Sequence, residues 1–461
     1  MKRLPFTPAL AAYGLLSEAI WIGLLALTPD LAYRDDKMLA VAVMTLCLVL
    51  LGACGLAWRA LERPRLPGDL WAILAFTAVF VLTLIAFWQP RGSTDAAGYV
   101  FYGRAAAVYG DNAYVAVPND HPADPIYPYI FGTWRAWSNP YGPAWTSVMA
   151  AAAEVGGARP WSQLVAFKVL AALFFFGCLA LVWTLTRRTF GWPPDKAARA
   201  LLLVAWNPVM LYEAVQNGHN DVAMAFFVLL TILLLAGRRT LWAAAAFSVS
   251  VLIKYVPIVA LPAMAAFLAA PGVGRFPARL KKAAWFVLAS TALTGATIAL
   301  FWGHGELLAG LKNQAQVWYF DVINPFTFAI VTAARWLAGA DPVAAMNALA
   351  KPASTVAFVL IMAFMSIRML PRVDTPARLV RWTLVCLLTY LLLYSSWLQP
   401  WYGIWLIPLF ILADDAFGYF LVSATAIVMY VIMSPVCLAA AAACYLAVKG
   451  RRGAKPAGPG I

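Results

Sequence analysis

Residues 38–58 read M-L-A-V-A-V-M-T-L-C-L-V-L-L-G-A-C-G-L-A-W, an uncharged run closed by Arg59. Wound as an α-helix, such a run spans about 30 Å, the thickness of a bilayer's hydrocarbon core. Comparable runs occupy 8–27, 70–88, 163–185, 284–302, 355–369 and 381–394. Shorter or Pro/Gly-interrupted ones lie near 199–215, 221–236, 241–253, 255–270, 403–412 and 416–448. Hydrophobic residues make up 63% of the chain and charged residues 12%, a balance that excludes a soluble globular domain. The expectation is an all-α polytopic membrane protein with about 12–14 transmembrane helices.

The formal net charge of +14 is explained by topology. Basic residues gather in alternate short loops: Lys2 and Arg3; Arg59, Arg63 and Arg65; Arg187, Arg188 and Lys196; Arg238 and Arg239; Arg275, Arg279, Lys281 and Lys282; Arg368, Arg372 and Arg378; Lys449, Arg451 and Arg452. The positive-inside rule makes these loops, and both ends of the chain, cytoplasmic. No nucleic acid partner is needed to account for them. Residues 1–450 then form a single transmembrane domain, with large outer segments at 89–143 and 304–350 and a basic cytoplasmic tail at 451–461. The stretches 143–155 and 326–337 are apolar but too short to cross comfortably, and are expected as helices lying in the outer interface. A second span follows the first almost at once and no small-residue cleavage site separates them, so the N-terminal run is not expected to be a cleaved signal. The six cysteines fall in expected spans without metal-ligand spacing and read as packing residues.

Against this background the polar outer segments stand out. T-D-A-A-G-Y-V-F-Y-G-R at 94–104 places Asp95, Tyr99 and Tyr102 at i, i+4 and i+7, on one helical face, with Arg104 following. Ionisable groups at a membrane boundary are costly unless they bind something. Asp95 at a helix start is either a capping residue or an ionised carboxylate able to orient and deprotonate a hydroxyl. The Tyr, Trp, Asn and Asp residues reaching to Asn139 and Tyr141 favour the second role, because aromatic faces with amide and carboxylate partners suit sugar rings. Asn217-Gly218-His219-Asn220-Asp221 joins two short spans; a turn needs only Asn and Gly, so His219 and Asp221 point to a proton-transfer or phosphate-binding site. Lys254 interrupts an apolar stretch ahead of Pro257 and reads as a cation for a lipid-linked phosphate, joined by Arg104 or Arg91. Lys168 and Glu213 read as helix-pairing residues. Gln399-Pro400-Trp401-Tyr402 presents an amide and two rings, for sugar or polyprenyl packing or as an interfacial anchor.

Taken in order, S-T-D-A-A-G-Y-V-F-Y-G-R (93–104), N-P-Y-G-P (139–143), N-G-H-N-D (217–221), L-I-K-Y-V-P (252–257) and Q-P-W-Y (399–402) resemble the bacterial GT-C class of membrane glycosyltransferases. They are most similar to the polyprenol-phosphate-mannose-dependent mannosyltransferases. The resemblance implies a GT-C-like bundle and an inverting transfer of a hexose, mannose first, from a polyprenyl-phosphate donor to a glycolipid or glycan acceptor outside the cytoplasm. It implies Asp95 as general base and no cofactor. Relatives with paired acidic residues bind a metal, whereas Asp95 is followed by Ala96 and Ala97, so no metal is expected. Three spans precede the catalytic loop where the simplest layout of the class has one, which sets residues 1–58, holding the first two, outside the core pattern. The competing class, a transporter or flippase of lipid-linked sugars, would place its ionisable groups near the bilayer midplane, often in inverted repeats; here they collect at one face.

Overall fold

The computed structural model describes residues 6–28, 36–62, 67–89, 91–157, 159–270, 276–316, 324–369, 371–395, 397–432 and 434–453. Lys2, Arg3, Arg63, Arg65, Arg275, Trp318, Tyr319, Asp321 and most of the tail lie outside them. The described residues form helices without a strand. In chain order these are α1 (Pro8–Leu27), α2 (Lys37–Ala60), α3 (Gly68–Ala86), α4 (Asp95–Arg104), α5 (Pro143–Gly156), α6 (Pro160–Thr184), α7 (Pro194–Ala205), α8 (Asp221–Ala236), α9 (Thr240–Ile253) and α10 (Leu261–Ala269). There follow α11 (Phe276–Leu300), α12 (Ala309–Gln316), α13 (Pro325–Ala338), α14 (Pro342–Ala345), α15 (Lys351–Met369), α16 (Pro376–Leu393), α17 (Gly403–Leu412), α18 (Ala416–Val428) and α19 (Pro435–Gly453).

Seven of these helices, counting α14–α15 as one, are long and apolar enough to cross a membrane among the described residues. An eighth span arises if α7 and the π-helical turn Met210–Gln216, bent by 55° at the break between them, are taken together. Length alone therefore supports fewer crossings than the expected 12–14, and the remainder falls on shorter apolar helices such as α8, α9, α17 and α18. Their ends are punctuated by the residues that stop a helix chemically. Asp36 accepts the Met38 and Leu39 N–H groups ahead of α2, and Asn324 accepts that of Thr327 ahead of α13. Asn207 accepts the Val209 and Met210 N–H groups at the break in the bent pair. Among the described residues the main hydrophobic core draws on helices from α1 to α18, and Val331, Met346 and Ala350 form a small separate cluster around α13.

The two ends of the bundle differ. At one, Lys196 pairs with Asp414 (2.6 Å), Lys449 with Asp415 (2.9 Å), and the Arg199 guanidinium lies over Trp58, 4.4 Å from its ring centre. At the other, Arg91 donates to the Leu25 carbonyl at the end of α1 (2.8 Å), and buried Lys168 donates to the carbonyls of Leu84 (2.7 Å) and Phe87 (2.6 Å) at the end of α3. Side-chain N–H donors on the C-terminal carbonyls that no helical partner takes tie these helix ends together. Lys168 also reaches Gln216 (3.2 Å), which fits the helix-pairing role expected of it.

The segment between α3 and α6 folds over this second end. Helix α5 crosses α4 so closely that a Cβ on Gly103 would lie 2.1 Å from the Met149 carbonyl oxygen. Further on, the Gly142 N–H donates to the Ile253 carbonyl (3.2 Å), fixing the start of α5 beside the end of α9. A Cβ on Gly142 would meet the Leu252 carbonyl oxygen at 2.0 Å. Gly142→Ala is therefore expected to destabilise the protein by about 1–3 kcal/mol. A lowered thermal midpoint in detergent, with Gly132→Ala unchanged because nothing lies within 4 Å of its Cβ position, is the check.

Candidate functional site

The polar segments converge at that end around a cavity of about 590 Å³. Asp95, Tyr102, Tyr141, Lys254 and Trp401, five of the residues singled out in the sequence, line it. Its remaining wall is dominated by rings, with Trp134 and Trp137 in edge contact (4.4 Å between centres) and Trp397 against Trp134 (5.6 Å). On one side Ile258 (46% exposed) and Val359 (56% exposed) line the cavity, so that side is both apolar and open.

Asp95 begins α4 but does not cap it. Ser93 Oγ accepts the Asp95 N–H (3.1 Å), and no side chain at Thr94 caps the helix. The Asp95 carboxylate instead accepts the Tyr141 hydroxyl (3.0 Å) and faces His219 Nδ1 at 3.5 Å. The other ring nitrogen, Nε2, lies 3.2 Å from the Glu213 carboxylate. Neither contact is aligned as a hydrogen bond, so the ring is held by charge and by packing against Trp401, with ring centres 4.2 Å apart and planes at 19°. Burial pushes the Asp95 carboxyl up, but His219, Lys254 and Tyr141 outweigh it and its pKa is lowered. For His219, burial acts downward, and the carboxylates of Asp95 and Glu213 overcome it to bring the imidazole up to about 9. Near neutral pH the site thus holds an ionised Asp95 against an imidazolium.

Lys254, released from α9 as its C-cap, donates to Asp221 at the start of α8 (2.7 Å). The Trp405 indole N–H donates to the same carboxylate oxygen (2.5 Å), and the ammonium sits 5.0 Å and 5.4 Å from the ring centres of Tyr402 and Trp405. Among the described cavity-lining residues Lys254 is the one cation. Among the described residues no group of three or more His, Cys, Asp or Glu side chains is placed to hold a metal ion.

The other singled-out residues lie behind this surface or away from it. Tyr99 is fully buried among Tyr141, Trp145 and Phe167, and its hydroxyl accepts the Asn220 N–H (3.3 Å). The helical face read from the sequence exists, but α5 covers its middle. Asn217 accepts the Gly92 N–H and donates to Glu213, both at 2.9 Å. Asn139 donates to Thr146 (2.8 Å) and accepts the Tyr141 N–H (3.0 Å), shaping the turn that aims Tyr141. Gln399 is buried and its backbone carbonyl accepts the Tyr402 N–H (3.1 Å). Arg104 is placed away from the cavity, in a buried pair with Asp124 (2.8 Å), whose carboxylate also accepts the Tyr109 hydroxyl (2.5 Å). Arg91 is likewise off the cavity wall, at the end of α1. Sequence reading takes Glu213 for helix pairing, counts Trp134 and Trp137 only collectively among the aromatic residues of the first outer segment, and leaves out Trp405. The i, i+3 tryptophans inside a polar segment were the available signal for the first two.

A family model described as "Alpha-(1->6)-mannopyranosyltransferase, N-terminal domain" matches residues 11–270, more than half of the 461 residues. No curated protein and no solved structure matches the chain. The match begins inside α1, so the first two spans, expected outside the core pattern, belong to the family's domain. It contains Asp95, Glu213, His219, Asp221 and Lys254, and stops just past α10, so that Trp401, Tyr402 and Trp405 complete the site from beyond it. The chain, a membrane glycosyltransferase, belongs to the alpha-(1->6)-mannopyranosyltransferase family.

Proposed function

We propose that the protein moves a mannosyl group, with inversion, from a polyprenyl-phosphate donor to a hydroxyl of a glycolipid or glycan acceptor. The observation that carries this reading is an ionised carboxylate, Asp95, and a cation, Lys254, on one aromatic-lined cavity with an apolar opening. The acceptor hydroxyl donates to Asp95 and its oxygen attacks the anomeric carbon. As that bond forms, the bond from carbon to phosphate oxygen breaks, the hydroxyl proton passes to Asp95, and polyprenyl phosphate leaves with the bonding pair. Lys254 meets the phosphate. An ammonium carries three donors and only one is engaged by Asp221, so the rest are free to bind a second anion. Ring faces such as Trp134, Trp137 and Trp401 offer stacking surfaces for sugars, and the side at Ile258 and Val359 admits the polyprenyl chain.

The gathering of basic residues at the opposite end supports an active site on the outer face of a prokaryotic plasma membrane, with both termini cytoplasmic. It also supports residues 1–450 as one transmembrane domain. Sealed vesicles of known orientation, loaded with polyprenyl-phosphate mannose, test activity and sidedness together. A membrane-impermeant mannoside added outside is expected to be extended by right-side-out vesicles and left unchanged by inverted ones. Extension only by inverted vesicles overturns the sidedness. Absence of transfer from polyprenyl-phosphate mannose in detergent-opened vesicles, with another activated mannose used instead, overturns the donor.

A further inference from the structure

Behind Asp95 stands a second carboxylate that the reaction just described does not use. Glu213 lies in the π-helical turn Met210–Gln216, is 1% exposed, and does not line the cavity that Asp95 faces. Its carboxylate is 3.2 Å from His219 Nε2, while His219 Nδ1 is 3.5 Å from Asp95. A single imidazole thus bridges two carboxylates, one facing the cavity and one enclosed by protein.

Much surrounding structure is devoted to holding the enclosed one. Asn217, one turn on, donates to Glu213 (2.9 Å), and the Gly92 N–H donates to Asn217 in turn (2.9 Å), linking this turn to the segment that carries Asp95. Trp21 of α1 stacks on Tyr212 with ring centres 6.3 Å apart, and Cys47 of α2 and Tyr430 lie within electrostatic reach of Glu213. Glu213 sits in a π turn, an inserted residue in the helical ladder of a kind frequent at functional sites.

We propose that Glu213 is a positioning residue for mannosyl transfer: it holds the His219 ring in place against Asp95 and thereby aims the Asp95 carboxylate at the cavity. This rests on Asp95 being the base. The groups that face His219 are Asp95 from α4, Glu213 from the π turn and the Trp401 ring; Tyr141 and Lys254 act on Asp95 from the cavity side. With two carboxylates beside it the imidazole keeps its charge until pH rises through about 9. Above that value the attraction holding Asp95 is lost, so transfer falls on the alkaline side. On the acid side, Asp95 stays ionised below the usual carboxylate range.

The test uses the full chain in nanodiscs, labelled with 15N-histidine. There are three histidines, so single substitutions at His121 and His304 assign the His219 signals. In the unaltered protein the His219 nitrogens and the alkaline limb of kcat should titrate together near 9. Glu213→Gln should move both down by about 1–3 pH units, with KM for the donor unchanged. Glu213→Asp, which keeps the charge, should restore the titration. If Glu213→Gln does not fold, Glu213→Asp carries the test through kcat, since a shorter side chain retracts the ring and lowers kcat without moving KM. A His219 titration unmoved in folded Glu213→Gln, or a kcat unmoved in Glu213→Asp, overturns the proposal. Full transfer by Asp95→Asn overturns the base instead, and the NMR titration, which needs no activity, still reports whether Glu213 holds His219.

Discussion

Asp95→Asn should lower kcat for mannosyl transfer by about 10²–10⁴-fold, the range lost with a general base. The protein should remain folded, because an amide oxygen at that position still accepts the Tyr141 hydroxyl (3.0 Å in the native site). KM for the donor should change little, since Lys254 is untouched. Asp95→Glu is the sharper companion. It keeps the charge but carries the carboxylate past the point set by Tyr141 and His219, and a misplacement of about 1 Å costs on the order of 10²-fold. The pair separates charge from geometry: if Glu were as good as Asp, aim would not matter, and the network behind Asp95 would be idle. Single-turnover transfer with radiolabelled donor, alongside thermal unfolding in detergent, measures both variants. Full transfer by folded Asp95→Asn removes this residue as the base.

The sequence discloses the membrane fold where runs are long and uncharged, as at 38–58, which the structure places within α2 (Lys37–Ala60). It discloses less where a helix begins in a basic loop. Helix α11 starts at Phe276, eight residues before the apolar run, because Arg279, Lys281 and Lys282 belong to the helix although they break the hydropathy signal. Asp95, Tyr141, Lys254 and Trp401 were visible as polar or aromatic groups against hydrocarbon, and the fold brings them to one cavity. Partnership was not visible. Asp221 meets Lys254 across 33 residues and Trp405 across 184, separations that no local pattern encodes. Arg104 had the spacing of a cavity residue, but Asp124 takes its charge, and only the folded loop shows that. The contacts of Glu213 with Asn217 and His219 are hidden for a related reason: they form from within a π turn, which leaves no mark in composition.

Lys254 poses the harder case, because its loss acts on stability and on donor use at once. The Asp221 side chain is 1% exposed; one oxygen is shared by Lys254 and Trp405, and the other has no aligned hydrogen-bond partner. Lys254→Met strands that carboxylate, and an uncompensated buried charge costs about 3–5 kcal/mol. A large fall in thermal midpoint is therefore expected, and lost transfer in this variant alone would say nothing about phosphate binding. The double variant Lys254→Met/Asp221→Asn removes both charges, and replacing a buried pair is far less costly than breaking it. It should recover most of the lost stability while still lacking the cation at the cavity. Its KM for the polyprenyl-phosphate donor should rise by about 10–100-fold, the equivalent of one charge-assisted hydrogen bond, with KM for the acceptor unchanged. Stability regained together with native donor KM would show that Lys254 serves only to neutralise Asp221. Stability regained with donor use still impaired would assign the ammonium to the phosphate, because the fold can then do without the pair and the donor cannot.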